Sequence, residues 1–264
     1  MAVSMAGLAD DLEAETAVLR ALVAPLPEEG WRAPTPAVGW SVADQVSHLA
    51  YFDDAATQSA TDPDAFRARL QQLVASGTVD PDAIAAQFRD LSGIELLQWF
   101  DRSRAGLLAA FRPLDPALRV PWFGPAMSAA SALTARIMET WAHGQDVADT
   151  LGVTREPTDR LRHVAHIGVG ARAYSYAVHG KEAPTTPIRV VLDAPTAGVW
   201  TWGPEDAADV VTGPALDFCL AVTQRRHLDD LALTITGPAA TEWMAIAQAY
   251  AGAAGTGRKP GAFA

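Results

Sequence analysis

The stretch ETWAHGQDVADT, residues 139–150, sets Glu139 and His143 four residues apart. On a helix each residue advances about 100°, so these two side chains share a face with Arg136 and Asp146. Leu133, Ile137, Gly144, Ala148 and Leu151 fall on another side. A polar stripe of this kind ordinarily faces water. The other reading is chemical, because a carboxylate and an imidazole are two metal ligands in want of a third. His48, in GWSVADQVSHLAYF, shares its face with Tyr51, Phe52 and Ala55 rather than with charges. A histidine on a partly buried face needs polar partners for its ring nitrogens. Glu139 and His143 across a bundle would supply them, or all three would meet an ion.

One carboxylate and two imidazoles suit Zn²⁺ and, less selectively, Fe, Ni or Co. Three protein ligands leave a tetrahedral ion one open position, as a catalytic site requires. The set carries a single negative charge, so a divalent ion stays net positive and can polarise a carbonyl or stabilise a thiolate or hydroxide. Asp146 is placed for an outer hydrogen bond to such a site. The E-x-x-x-H spacing is common by chance, so at this point both readings stand.

These residues need helices to position them, and the first two-thirds of the chain supplies helical patterns. Apolar residues recur at helical spacing over 8–24, ending before Pro25 and Pro27. GWRAPTPAVGW comes next as a loop, with Trp31 and Trp40 wedged against the bundle end. Ser41 is an N-cap for the His48 helix, with Asp44 in its first turn. Residues 81–111 form the longest helical pattern, with a break near Ser92-Gly93. Residues 128–152 end in a glycine cap, and 158–180 form a fifth helix. From 185 the texture changes: PIRVVLDA, GVWTWGP and ADVVTGP read as strands. VTGPALDFCLAV and ITGPAATEWMAI repeat a device in which a strand ends at Gly and Pro takes the first helical position. The expected architecture is α+β in two domains, a helical bundle over 1–182 and a small α+β domain over 183–264.

Composition narrows the partners. A formal charge of −11, from 31 acids against 20 bases, repels phosphate backbones and anionic lipid, which argues against nucleic acid. No apolar run reaches the roughly 20 residues of a membrane span, and the N-terminus lacks the pattern of a secretory signal, so the cytoplasm is the expected location. Cys219 is alone and sits in an apolar run, which fits a reducing compartment and a small buried hydrophobe rather than a nucleophile. His163 and His166, three apart on the fifth helix, have no nearby acid to complete a second metal site. His227 with Asp229 and Asp230 reads as a loop. GxSxG, a P-loop, a dinucleotide-binding glycine pattern and CxxC are all absent.

APTPAVGWSVADQVSHLAYFD, with ARIMETWAHGQDVAD much later in the chain, resembles the mycothiol-dependent maleylpyruvate isomerase family, within the wider DinB-like group. The resemblance covers the N-terminal domain well and implies a DinB-like four-helix bundle that holds a divalent metal, most often zinc. Carried over residue by residue, the ligands are His48, Glu139 and His143, which turns the polar stripe inward, toward a cavity between helices. The resemblance also implies mycothiol as a thiol cosubstrate bound to the metal as thiolate, and isomerisation of an activated double bond or transfer of the thiol to an electrophile. Its C-terminal part is looser and implies a sterol-carrier-like α/β domain contributing an arginine. Arg225 matches that arginine, but the family's preceding glycine is Gln224 here. Arg225 would hold a substrate carboxylate bidentately, or with Arg226 complement a helix C-terminus.

The expected function is therefore a metal-dependent, thiol-using isomerase or S-transferase acting on a small electrophile. A non-catalytic metal- or small-ligand-binding protein and a metal-dependent hydrolase are the alternatives. Family bundles as monomers and as homodimers both fit.

Overall fold

The computed structural model describes residues 4–77 and 79–263. They fall into two compact units, Met1–Arg155 and Glu156–Ala264. In the first, α1 (Met5–Val23) leads through a four-residue α2 (Glu28–Trp31) to α3 (Val42–Thr61). Next come α4 (Pro63–Ala75), α5 (Pro81–Ala86), α6 (Gly93–Phe111), a two-residue hairpin of β1 (Arg119–Val120) and β2 (Met127–Ser128), and α7 (Ala129–Leu151). The bundle is the ring α1, α6, α3, α7, each packed on the next and α7 closing back onto α1.

Local chemistry sets the element ends. Ser41 and Asp44 form a reciprocal capping box on α3, and Ser92 and Glu95 do the same on α6. The second box breaks the pattern over 81–111, because Ser92 leaves the helical conformation to cap α6. Gly152 closes α7 in the left-handed conformation, at φ 64°. α4 and the β1–β2 hairpin have no counterpart in the sequence expectation. Asp62 caps α4 and Pro63 starts it, but its weak apolar face buries only Phe66.

The bundle has two apolar clusters. Leu8, Leu12, Leu107, Phe111, Leu133 and Ile137 fill one end. Leu19, Val46, Leu49, Leu96, Phe100 and Val147 fill the other. Between them runs a buried polar belt of Glu15, Thr16, Asp53, Arg104, Arg136 and Thr140. Trp31 joins the second cluster, as the loop reading expects, whereas Trp40 lies against His48 and His143.

In the second unit, residues 158–180 form not one helix but two, α8 (Leu161–Gly170) and α9 (Arg172–Ala177). A sheet of order β4-β3-β5-β6 comes after them, from β3 (Ile188–Asp193), β4 (Val199–Trp202), β5 (Asp209–Pro214) and β6 (Thr234–Thr236). The central pair β3 and β5 is parallel, and both flanking pairs are antiparallel. α10 (Ala215–Val222) succeeds β5, and α11 (Pro238–Ile246) succeeds β6. The strand–Gly–Pro–helix device occurs twice, with Pro238 as the first residue of α11 but Pro214 one place earlier, as the N-cap of α10. At Gly237 (φ 90°) an added Cβ would lie 2.4 Å from the Asp209 carboxylate, which caps α11 by accepting from the Ala240 N–H at 2.9 Å.

The division after Arg155 is earlier than the boundary at 182 read from the sequence. The reason is packing: Gly168 of α8 lies so close to Val222 of α10 that a Cβ would sit 2.7 Å from its methyl group. Ser175 of α9 donates to the Gln248 carbonyl and accepts its N–H. Helicity is thus not what assigns residues 156–182; their partners are.

Cys219 is fully buried, its thiol donating to the Leu161 carbonyl at 3.4 Å, and burial pushes the thiol well above its ordinary pKa. The thiolate is the reactive form. The native protein should therefore resist an aromatic disulfide reagent at pH 8 and take up one equivalent only in denaturant. Native labelling at the denatured rate would contradict this.

Candidate metal centre

His48 comes from the second turn of α3, whose start is doubly fixed. Asp44 accepts from the Ser41 N–H at 2.8 Å and from Arg89 at 2.9 Å. Glu139 and His143 come from the middle of α7, where helical spacing sets them on one face. The stripe expected on that face is interior: Arg136, His143 and Asp146 are buried and Glu139 is partly so. Trp141 points away and packs under the Arg155 guanidinium, 5.7 Å from its ring centre.

The three candidate ligands converge. One donor atom of each of His48, Glu139 and His143 lies within 4.8 Å of the others, and they are the one such group of three among the described residues. His143 Nε2 is 3.1 Å and His48 Nε2 3.7 Å from the same oxygen, Glu139 Oε2. The imidazole centroids are 4.5 Å apart. Trp40 stacks near-parallel on His143 at 5.8 Å, and Phe52 lies 4.6 Å from His48. These rings wall the donors with apolar surface.

Charge states reflect this environment. Burial, aided by the neighbouring His143 and the Arg136 guanidinium, pushes His48 down to about 4, so its imidazole is neutral at pH 7. Burial raises the Glu139 carboxyl, but the two imidazoles facing it outweigh that and hold it well below the usual carboxylate range. The site thus presents an anionic oxygen between imidazole nitrogens.

The polarity of the surrounding hydrogen bonds decides which nitrogen of His143 carries hydrogen. The Thr35 hydroxyl donates to the Trp40 carbonyl at 2.9 Å, and the Gln45 amide nitrogen lies 2.9 Å from that hydroxyl oxygen. A hydroxyl whose hydrogen is spent must accept, so Gln45 turns its NH₂ toward Thr35 and its Oε1 toward His143 Nδ1. An amide oxygen only accepts, so Nδ1 bears the hydrogen. Nε2, 3.1 Å from Glu139 Oε2, is then the nitrogen left to face the carboxylate or an ion. A proton or a cation fits between that nitrogen and the carboxylate. The donor set fits a divalent cation: two imidazole nitrogens and a carboxylate oxygen that converge, one net negative charge, and a hydrogen-bond partner on the far nitrogen of one candidate ligand. Gln45, rather than the Asp146 named from the sequence, is the residue whose side chain lies against the far nitrogen of His143. Its signal was present in the D-Q-x-x-H run, where Gln45 lies one turn before His48.

Arg225 lies in the second unit, in the turn after α10, and donates from Nη1 to the Thr223 carbonyl at 2.7 Å. Arg226 donates likewise to the Arg225 carbonyl, and its guanidinium covers the Phe263 ring at 4.3 Å. Arg225 thus bonds the C-cap carbonyl of α10, and Arg226 a carbonyl of the turn after it. Gln224, which replaces the expected glycine, has φ 58°, a left-handed conformation that glycine adopts without cost. Its side chain accepts from the Tyr250 hydroxyl at 2.6 Å and donates to the Ala247 carbonyl at 3.2 Å. The turn a glycine would make is kept, and the side chain that replaces it is anchored. His227 accepts from the Asp229 N–H and caps the short turn Leu228–Asp230, so this segment is the loop expected.

Two uncharacterized proteins of Mycobacterium tuberculosis, from strains CDC 1551 / Oshkosh and ATCC 25618 / H37Rv, are each 45% identical to this chain over 248 residues, covering 94% of it and 96% of their own length. Among solved structures, the mycothiol-dependent maleylpyruvate isomerase is similar in fold, with a TM-score of 0.58 at 18% identity over 88% of this chain and 93% of that one. A single-histidine-to-alanine mutant of that isomerase gives the same TM-score at 17% identity. A family model described as wyosine base formation matches residues 186–236, the segment holding the four-stranded sheet. The model of the mycothiol maleylpyruvate isomerase N-terminal domain matches residues 12–148, more than half the chain and all three converging donors. The chain belongs to the mycothiol-dependent maleylpyruvate isomerase family.

Proposed function

We propose that this chain is a cytoplasmic, thiol-dependent isomerase or S-transferase that binds one divalent ion, zinc by preference, and uses mycothiol on a small electrophile. The observation that carries this reading is the convergence of His48, Glu139 and His143 donor atoms within 4.8 Å in a buried, aromatic-walled site. When bound, the ion keeps a coordinating thiol deprotonated at neutral pH, and the thiol supplies the nucleophile. His48 and His143 would offer Nε2 and Glu139 would offer Oε2. Trp40 and Phe52 keep bulk water from two sides of the donors, which strengthens every charge interaction among them. Arg225 is the group proposed to grip a substrate carboxylate.

The test is metal analysis of the purified chain, then turnover of unsaturated electrophiles with mycothiol, other small thiols, or none. About one ion per chain is expected, with turnover only when mycothiol is present. His48→Ala should abolish both. Full metal occupancy in that variant would remove the ligand assignment. Metal-dependent ester or amide cleavage without thiol would instead make the protein a hydrolase, and metal without any turnover a binding protein.

A further inference from the structure

We propose that Gln45 is the positioning residue of the metal centre: held by the Thr35 hydroxyl, it fixes His143 as the Nδ1–H tautomer and so presents Nε2 to the ion. This rests on the metal-binding reading above and adds to it a residue that never touches the ion.

The relay begins in backbone. Thr35 donates its N–H to the Trp40 carbonyl at 2.7 Å and its hydroxyl to the same oxygen at 2.9 Å. Val42 donates to the Ala33 carbonyl at 3.1 Å, and Pro34 bridges Ser41, so residues 33–42 form a closed loop rather than a loose one. That loop fixes the Thr35 hydroxyl as an acceptor, which fixes the Gln45 amide, which fixes His143. Gln45 is fully buried and so has no water to turn toward. The same loop places Trp40 on His143, which limits rotation of that ring. Orientation and tautomer of one ligand are therefore both set by residues 33–45. A histidine left to choose would spend much of its time as the other tautomer, with hydrogen on the nitrogen the ion needs.

The experiment uses the full chain, Co²⁺ and Zn²⁺, and three variants: Gln45→Leu, which removes the acceptor; Gln45→Glu, which keeps one; and Thr35→Val, which frees the amide to turn over. Affinities come from chelator competition, ligand geometry from the Co²⁺ absorption spectrum, and the tautomer from ¹⁵N shifts of the His143 ring in metal-free protein. Gln45→Leu should weaken metal binding by about 10- to 100-fold, the usual effect of losing an outer partner. It should also leave His143 a mixture of tautomers. Gln45→Glu should bind close to wild type, and Thr35→Val should fall between. A folded Gln45→Leu protein with wild-type affinity and an unchanged Co²⁺ spectrum would overturn the proposal, because a packing role alone predicts lower stability at constant affinity. If wild type binds no divalent ion, the metal reading fails, yet the relay is still judged by the wild-type ¹⁵N shifts. Hydrogen on Nε2 would refute it, and hydrogen on Nδ1 would uphold it. The same measurement decides the case if Gln45→Leu does not fold.

Discussion

Replacing Glu139 by Gln should empty the metal centre while leaving the bundle folded, a loss in metal affinity well beyond the 10- to 100-fold typical of an outer partner. The change removes the one anionic donor and puts an amide where Oε2 meets both imidazoles. That amide can still hydrogen-bond His143 Nε2 with either its oxygen or its NH₂, so the buried imidazole keeps a partner. Stability and function should therefore separate. The metal-free variant should melt close to metal-free wild type, because the amide keeps a partner for the buried imidazole.

Zinc at 100 times its dissociation constant should stabilise wild type by about 2.7 kcal/mol. For a unit of this size that is roughly 5–10 °C in Tm. The variant should show no shift. Calorimetry with and without zinc, alongside metal analysis of the purified proteins, reads both effects. A zinc-dependent shift of wild-type size in Glu139→Gln would mean that the ion binds elsewhere.

The sequence carried the convergence of the three candidate ligands better than it carried their environment. Helical spacing alone put Glu139 and His143 on one face, yet the same wheel was consistent with a surface stripe. Periodicity reports which residues share a side and is silent on what lies opposite. The buried neighbours of that stripe, Arg136 and Asp146, carry charged groups, and their burial depends on partners distant in the chain. Asp53, the partner of Arg136, is 83 residues away. Gln45 escaped for a related reason. Its role lies in the direction of hydrogen bonds, and that direction depends on a Thr35 hydroxyl whose own orientation is set by loop geometry. The break at Ser92 was legible because a capping box is local chemistry. The boundary between units was not, because α8 and α9 look like bundle helices and are assigned by Val222 and Gln248, residues far along the chain.

Asp53→Ala should be the most destabilising single change in the bundle, by about 3–5 kcal/mol, with Tm falling roughly 10 °C. Asp53 is fully buried and accepts from Arg104 Nε at 2.7 Å and from Arg136 Nε at 2.9 Å, so one carboxylate compensates two buried guanidiniums. Burial already pushes the Arg104 pKa down, and Asp53 is the first group opposing that. Arg104 also donates to Thr16 and Thr140, and Arg136 to the Leu49 carbonyl, so hydrogen-bonding groups remain after the change but the counter-charge does not. Removing Asp101, which pairs with Arg20 on the surface, should move Tm little, because solvent screens that pair.

The belt also bears on the metal centre. Arg136 lies one turn before Glu139, and its bond to the Leu49 carbonyl fastens α7 to α3 beside His48. In Asp53→Ala the zinc affinity should therefore fall along with Tm, measured by chelator competition well below the melting range. A fall in Tm with unchanged affinity would confine the belt to stability. Unchanged Tm would show that the two arginines find compensation without Asp53, against the reading of the belt as one carboxylate serving two cations.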